Sequence, residues 1–197
     1  MNANIVLWTR QCLACRRNKV QRHTISPPST VAVPDVSFHH VHLDLVGPLP
    51  QSRGFTHMLI AVDRFTRWPI AFPTSNTSAD NIVMVLLTPW IANFGVPATI
   101  TADRGSQFTS ALFDKFTRLL GCAHIPTTAY HPVSNGLVER LQRQLKSALM
   151  SHPVPHNWSD NNTNIQSEIR SAVKEDIYCT TVELVYGTPI LLPGELV

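Results

Sequence analysis

The stretch Phe38-His39-His40-Val41-His42-Leu43-Asp44-Leu45-Val46 alternates between polar and apolar side chains. Alternation over so short a run is typical of a β-strand with one buried face. The apolar side chains lie on one face, and His40, His42 and Asp44 lie on the other. Gly47-Pro48 follows directly and ends the run. The stretch therefore predicts a strand that carries an acid on one of its faces.

On either side of this strand, the pattern predicts short strands that alternate with amphipathic helices. The helices are expected from Ser78 to Gly95, with a kink at Pro89, and at residues 107–120 and 136–150. The strands are expected at residues 38–46, 56–62, 67–72, 98–102 and 122–126. Three strands followed by helices and single strands in turn favour an α/β fold, in which helices cover both faces of a mixed sheet.

The spacing of apolar residues predicts which face of each later helix is buried. For residues 107–120 the expected core face consists of Phe108, Leu112, Phe116, Leu119 and Leu120. For residues 136–150 the expected buried face consists of Leu137, Leu141, Leu145 and Ala148. Glu139, Arg143 and Lys146 then share the opposite, exposed face of that helix.

Three acids stand in distinctive contexts. Asp44 lies in HLDLVGPLP, Asp103 in DRGSQF and Glu139 in HPVSNGLVER. Asp44 lies in the first strand, Asp103 follows the fourth strand and Glu139 lies on the last helix, so the fold can bring them together at the strand ends. Three carboxylates at one point suit hard divalent cations. Taken singly, each acid also fits a turn or a solvated helix position; Asp63 and Asp114 are rival acids with turn and surface roles.

These motifs resemble the integrase catalytic core of gypsy-type long-terminal-repeat retroelements, the D,D(35)E group, since 35 residues separate Asp103 from Glu139. The resemblance implies a ribonuclease H-like fold with a mixed five-stranded sheet. It also implies that Asp44, Asp103 and Glu139 form a catalytic triad that binds two Mg²⁺ or Mn²⁺ ions. The activity implied is trimming of DNA 3′ ends and their transfer to target DNA, by a chain that self-associates.

Candidate DNA contacts follow from the same resemblance and from charge. Arg143 and Lys146 stand beside Glu139 and are expected to contact phosphates. Asn135 ends a polar loop predicted at residues 127–135. The stretch Tyr130–Gly136 resembles the flexible loop next to the family's site, and Asn135-Gly136 suits a turn. Gln107 is a further candidate, although it fits equally well as a residue at a helix start.

The predicted domain organisation has four parts. Residues 1–25 resemble the second half of the family's zinc module, with Cys12 and Cys15 as its remaining ligands. Because zinc at a structural site needs four ligands and no histidine precedes Cys12, we do not expect this head to bind Zn²⁺. Residues 26–35 are a proline-bearing linker, 36–152 the catalytic core and 153–197 a divergent segment. Polar residues 160–164 replace an apolar helix of the family, and we expect them to weaken the core.

Composition sets broad limits on function. The net charge of +3 is compatible with nucleic acid, and no apolar run is long enough to predict a membrane span. We expect an intracellular protein that acts in the nucleus, although no clear targeting signal is present. Two other functions stay open: a degenerate or co-opted fragment that binds nucleic acid without catalysis, and a ribonuclease H-type nuclease.

Overall fold

A computed structural model describes residues 35–127, 132–151, 157–174 and 177–193, without the side chains of 132–137, 150 and 151. Its main element is a five-stranded sheet. The strands are β1 (His40–Val46), β2 (His57–Asp63), β3 (Pro69–Thr74), β4 (Thr99–Ala102) and β5 (Ala123–Pro126). Their spatial order is β3-β2-β1-β4-β5, antiparallel between β1, β2 and β3 and parallel between β1, β4 and β5. The predicted mixed sheet is confirmed.

Helices cover both faces of this sheet. The longer ones are α1 (Ala79–Leu86), α2 (Ala111–Leu119), α3 (Pro132–Ser151) and α4 (Trp158–Ser171). The short helix α5 (Thr181–Tyr186) follows a two-stranded hairpin formed by β6 (Val173–Lys174) and β7 (Cys179–Thr180). The side chains of α1 and α2 pack in one core on one face, and those of α3 and α4 in a second core on the other. None of the helices in the described part of the chain is long and apolar enough to cross a membrane.

The first helical segment matches its sequence signals closely. The Ser78 side chain caps α1 by accepting from the N–H of Asn81, and Gly95 ends the segment with a φ of 81°. Pro89 lacks an N–H, and the helix passes it through a π-helical turn at Leu87–Ile91. The disturbance predicted at Pro89 is thus a local widening of the helix. Pro73, predicted to follow the third strand, instead lies inside β3, which tolerates it as an edge strand.

The predicted core face of α2 is wrong in part. Leu119 is 85% exposed and Leu112 is also exposed, whereas Phe113 is fully buried. The helix begins later than predicted, after the Ser110 cap, and Phe108 precedes it. The Phe108 ring packs edge-on against Phe113 with centroids 5.5 Å apart, which turns the helix toward Phe113.

Helix α3 begins earlier than the sequence predicts. The backbone is helical from Pro132, a residue whose fixed φ suits a first turn, so residues 132–135 are not loop. Its buried face consists of Val138, Leu141, Leu145 and Leu149. Leu141 and Leu145 confirm the prediction, Ala148 is only partly buried, and the Leu137 side chain lies outside the described residues.

Helix α4 supplies core contacts where the sequence predicts a loss of them. Trp158 and Ile165 are buried in the same core as α3. The polar residues Asn162 and Gln166 are also buried, and both bond to the backbone of Ala71 in the edge strand β3. The polar side chains of this helix therefore satisfy the sheet edge instead of weakening the core.

Candidate active site

Asp44 lies in the middle of the sheet. Its strand β1 pairs with β2 on one side, where Asp44 stands opposite Ile60, and with β4 on the other. Alternation along β1 directs Asp44 and Val46 to the face covered by α3 and α4, because Val46 and Ile60 belong to that core. Asp44 is only 7% exposed. Asp44 is thus a buried carboxylate on the face of β1 opposite Val41 and Leu43, as the alternation predicts.

Both oxygens of this carboxylate accept hydrogen bonds. Oδ1 accepts from the backbone N–H of Leu45 at 2.8 Å. Oδ2 accepts from the side-chain amide of Gln142, which α3 carries. These donors partly replace the water that burial removes, as a buried charge requires.

Asp103 follows β4 directly. Since Leu43 pairs with Ala102 in the parallel ladder, Asp44 and Asp103 are the next residues on neighbouring strands, whose backbones are about 4.8 Å apart in a sheet. The Asp103 side chain is half-buried and accepts the N–H of Gly105 through Oδ1 at 2.9 Å. This turn closes the strand and fixes the carboxylate beside the end of β1.

Glu139 lies on α3 and is exposed. Its neighbour Val138 is fully buried, and Leu141 is buried as well. The helix is therefore anchored through its apolar side while Glu139 stays accessible. Arg143 and Lys146 are also exposed, which agrees with the predicted shared face at i, i+4 and i+7.

The charges of Asp103 and Glu139 both act on Asp44. The pKa of Asp44 is raised from 3.8 to about 6, first by burial and next by the charge of Asp103, with Glu139 adding to the increase. The hydrogen bonds from Leu45 and Gln142 act in the opposite direction. Asp44 therefore stands within electrostatic reach of both other predicted triad members, and a cation between them would relieve the repulsion.

The chemistry of these donors fits a hard cation, because all of them are carboxylate oxygens. However, within the described residues, no three acid, histidine or cysteine side chains converge closely enough to form a metal site. Asp44 and Asp103 lie side by side on neighbouring strands. Glu139 interacts with Asp44 electrostatically but is not close enough to form a three-carboxylate metal site.

The remaining predicted site residues fall in different places. The Gln107 side chain is half-buried and lies so close to Gly105 that a Cβ at Gly105 would collide with it. Gln107 thus borders the Asp103 turn. Asn135 lies within the backbone of α3, with its side chain outside the described residues. Cys12 and Cys15 lie outside the described residues altogether.

The rival acids have structural positions. Asp63 is fully buried and accepts from the backbone N–H groups of Phe38 at 3.0 Å and Thr66 at 2.7 Å, and from the Thr66 hydroxyl at 2.7 Å. The turn role predicted for Asp63 is confirmed. Asp114 is exposed on α2 and pairs with Arg118 at 3.2 Å.

Two histidines, His40 and His42, line the same face of β1 as Asp44, and no sequence motif assigned them a role. Their rings stack with centroids 5.0 Å apart. Nε2 of His40 bonds to the Thr101 hydroxyl at 2.8 Å, while both ring nitrogens of the buried His42 have no partner in the described part of the chain. Burial lowers the pKa of His40 to about 4 and of His42 to about 3. Both are neutral near pH 7, and the period of two along β1 was the signal that linked them to Asp44.

The sheet order, the helices on both faces and the acids at the junction of β1, β4 and α3 define a ribonuclease H-like fold. Residues 35–132 match the integrase core domain. This match confirms the resemblance to the integrase core; it includes the contexts of Asp44 and Asp103 and ends before Glu139.

The relatives of this chain are polyproteins, and the chain matches only a part of each. It is 29% identical over 189 residues to the Pro-Pol polyprotein of simian foamy virus type 3 (strain LK3), covering 95% of this chain and 16% of the relative. It is 26% identical over 196 residues to the transposon Tf2-3 polyprotein of Schizosaccharomyces pombe (strain 972 / ATCC 24843). That match covers 96% of this chain and 15% of the relative. The chain thus spans about one sixth of the length of the relatives it matches.

Solved structures share its fold. The intasome of simian T-cell lymphotropic virus, in complex with PP2A regulatory subunit B56 gamma, superposes with a TM-score of 0.68 and 23% identity, covering 96% of this chain and 68% of that one. The HTLV-2 integrase catalytic core domain, in complex with magnesium and in a trimeric form, superposes with a TM-score of 0.59 and 18% identity. The match covers 74% of this chain and 94% of that one.

Proposed function

We propose that this chain is a metal-dependent polynucleotidyl transferase that trims the 3′ ends of retroelement DNA and joins them to target DNA. The observation that carries this proposal is the position of Asp44 and Asp103 on neighbouring strands, next to the helix that carries Glu139 and donates to Asp44 through Gln142. The raised pKa of Asp44, due first to burial and then to the charges of Asp103 and Glu139, supports it, as does the match of residues 35–132 to the integrase core domain.

Asp44, Asp103 and Glu139 would hold two Mg²⁺ ions, with Mn²⁺ as a substitute, and their oxygen donors suit both metals. When bound, such a pair supplies Lewis acidity to the attacking and leaving oxygens of a phosphodiester displacement. The HTLV-2 core, which shares the fold, was solved with magnesium. Both proposed reactions are displacements at phosphorus, so one site serves them both.

The protein's own groups have separate tasks in this proposal. The hydrogen bonds from the Leu45 N–H and the Gln142 amide favour the ionised form of Asp44 against the effect of burial, and the Gly105 N–H orients Asp103. Arg143 and Lys146 stand on the exposed side of α3 with Glu139, where they would bind the phosphates that flank the reacting bond.

The partners in this proposal are the DNA ends, the target DNA and further copies of the chain. Among the structures that share its fold are an intasome and a trimeric core, which support self-association. Joining DNA to a host genome requires access to chromosomal DNA, so we place the site of action in the nucleus.

The test is a strand-transfer and disintegration assay in Mn²⁺ that compares the wild-type chain with Asp103→Asn. The matched control is Asp114→Asn, since Asp114 is an exposed acid on α2. We expect activity in the wild type and the control, and a loss of at least about a hundredfold in Asp103→Asn, because that change removes a charged metal ligand. Equal activity in all three proteins would contradict the assigned roles.

One observation favours a second candidate, a fragment that binds nucleic acid without catalysis. Within the described residues, the three carboxylates do not converge into a metal site. This candidate predicts salt-dependent DNA binding that Asp103→Asn leaves unchanged, in a folded protein without strand transfer or metal binding. Activity on RNA–DNA hybrids alone would instead indicate a ribonuclease H-type nuclease, which the family assignment disfavours.

A further inference from the structure

Gln142 connects the helix that carries Glu139 to the strand that carries Asp44. It lies three residues after Glu139 on α3, and its side chain is half-buried. The Nε2 atom of its amide donates a hydrogen bond to Oδ2 of Asp44. The sequence motifs assign Gln142 no role, because a glutamine on an amphipathic helix also fits a plain surface position.

The apolar contacts of α3 cannot by themselves orient a carboxylate. Val138, Leu141 and Leu145 hold the helix against the sheet. Apolar packing is not directional, so it does not determine the orientation of a polar group. A hydrogen bond to one named oxygen does have a direction. The bond from Gln142 therefore sets the rotation of the Asp44 carboxylate relative to α3, and with it the relation of Asp44 to Glu139.

The bond leaves Asp44 able to bind a cation. An ionised carboxylate has about four acceptor positions, two on each oxygen. The Leu45 N–H occupies one on Oδ1 and Gln142 occupies one on Oδ2. One position on each oxygen stays available, in a plane that the two donors fix.

We propose that Gln142 is a positioning residue that orients the carboxylate of Asp44 for metal binding. The inference rests on the proposed function, since it presumes that Asp44 is a metal ligand. Gln142 acts through Asp44 and needs no contact with the metal or the DNA. Replacing its amide should weaken metal binding while the apolar packing of α3 stays intact.

The experiment measures the Kd for Mn²⁺ in the full chain by the electron paramagnetic resonance signal of free Mn²⁺. Gln142→Met keeps the length of the side chain and removes the donor, and Gln142→Asn draws the same amide back from Asp44. Gln144→Met is the matched control, because Gln144 is exposed on the same helix. Thermal melting without metal reports folding for each protein.

We expect Gln142→Met to raise the Kd about tenfold, as is common for a partner of a metal ligand. Gln142→Asn should give an intermediate Kd, and Gln144→Met the wild-type Kd. In an Asp44→Ala background, Gln142→Met should change the Kd by less than about twofold, because the two residues act through one interaction.

Two results would overturn the inference while the proposed function stands. A wild-type Kd in both Gln142 variants, with only a lower melting temperature, would show a structural role in holding α3 to the sheet. The same tenfold loss in the Asp44→Ala background would show that Gln142 acts elsewhere. If the wild-type chain itself bound no Mn²⁺, the proposed function would fail and the inference with it, so the two failures are distinguishable.

Discussion

The side-chain amide of Gln166 bonds to the backbone of Ala71 at both ends, accepting its N–H at 2.9 Å and donating to its carbonyl at 2.9 Å. A neighbouring strand would make the same pair of bonds. Asn162 donates to the same carbonyl at 2.8 Å, and Arg170 donates to the carbonyl of Pro69 at 3.1 and 2.9 Å. Helix α4 thus satisfies the open edge of β3 with side chains, which also protects that edge from pairing with another chain.

We expect Gln166→Leu to lower the free energy of unfolding by about 1–3 kcal/mol, because it leaves the buried N–H of Ala71 without an acceptor, while the carbonyl of Ala71 keeps only the bond from Asn162. Urea denaturation measures the change. Asn164→Leu is the control, since Asn164 is exposed on the same helix and should shift stability by less than about 0.5 kcal/mol. If both variants lose equally little, the edge bonds contribute nothing to stability.

The buried carboxylate of Asp63 offers a test that separates structural from catalytic acids. Asp63→Asn replaces an acceptor of three hydrogen bonds by an amide with one acceptor oxygen, so we expect a loss of about 2–4 kcal/mol in urea denaturation. Mn²⁺ binding should be unchanged at temperatures where the variant is folded. The exposed Asp35, changed to Asn, is the control for stability. A large loss of Mn²⁺ affinity in folded Asp63→Asn would contradict our choice of acids.

The buried histidines of β1 predict a loss of stability in mild acid. The pKa of His40 is lowered to about 4 and that of His42 to about 3, whereas the unfolded chain keeps values near 6.5. Below pH 6.5 the unfolded chain therefore binds more protons, and stability falls as pH falls. Asp44 acts in the opposite direction between about pH 4 and 6, because its raised pKa makes the folded state take up that proton first. With two histidines acting one way and one carboxyl the other, the unfolded chain binds about one proton more than the folded chain.

Between pH 6 and 5 this difference lowers the free energy of unfolding by up to roughly 1.4 kcal/mol per pH unit, less to the extent that solvent screens the half-buried His40. His42→Leu removes one of the two histidine protons, so its stability should be nearly constant over this range. Urea denaturation at pH 5, 6 and 7 measures the slope, with the exposed His39 changed to Gln as control. An acid slope that survives in His42→Leu would refute this origin.

The sequence predicted the fold well where local signals agree, and it predicted three acids of which Asp44 and Asp103 lie on neighbouring strands. Alternation in β1 separated Asp44 from the face of Val41 and Leu43, and Ser78 and Gly95 marked the first helical segment correctly. The errors occur where one sequence supports two arrangements. In α2, stripes through Leu112 and through Phe113 both have helical spacing, and only the packing of Phe108 selects the second.

The buried polar side chains of α4 and the Gln142 hydrogen bond could not be predicted from local sequence signals, for a different reason. Asn162 and Gln166 are buried because they meet the backbone of β3, about ninety residues away in the chain, and composition alone cannot show that partner. Gln142 and Asp44 are likewise 98 residues apart. A polar residue in an amphipathic pattern reads as solvent-facing until its long-range partner is known.

The corrected face of α2 gives a direct test by truncation. Phe113→Ala should cost about 3–5 kcal/mol, because it removes a fully buried ring that packs between Phe108 and Phe116. Leu119→Ala should change stability by less than about 0.5 kcal/mol, since Leu119 is 85% exposed. Thermal or urea denaturation of the two variants compares them directly. The reverse order would restore the face predicted from sequence.

Lys146 tests whether the exposed side of α3 meets DNA. It is exposed and stands two turns after Glu139, so in the proposed function its ammonium neutralises one phosphate near the reacting bond. Lys146→Ala should therefore weaken binding of a DNA-end duplex and reduce the slope of log K against log salt concentration by about one. Fluorescence anisotropy at several salt concentrations measures both quantities.

Lys115→Ala is the control, because it removes an exposed lysine from α2 on the other face of the sheet. It should retain the wild-type slope, because only a cation in contact with phosphate releases a counterion from DNA. Equal slopes in all three proteins would remove Lys146 from the DNA contact and leave Arg143 as the remaining cation on that side of the helix.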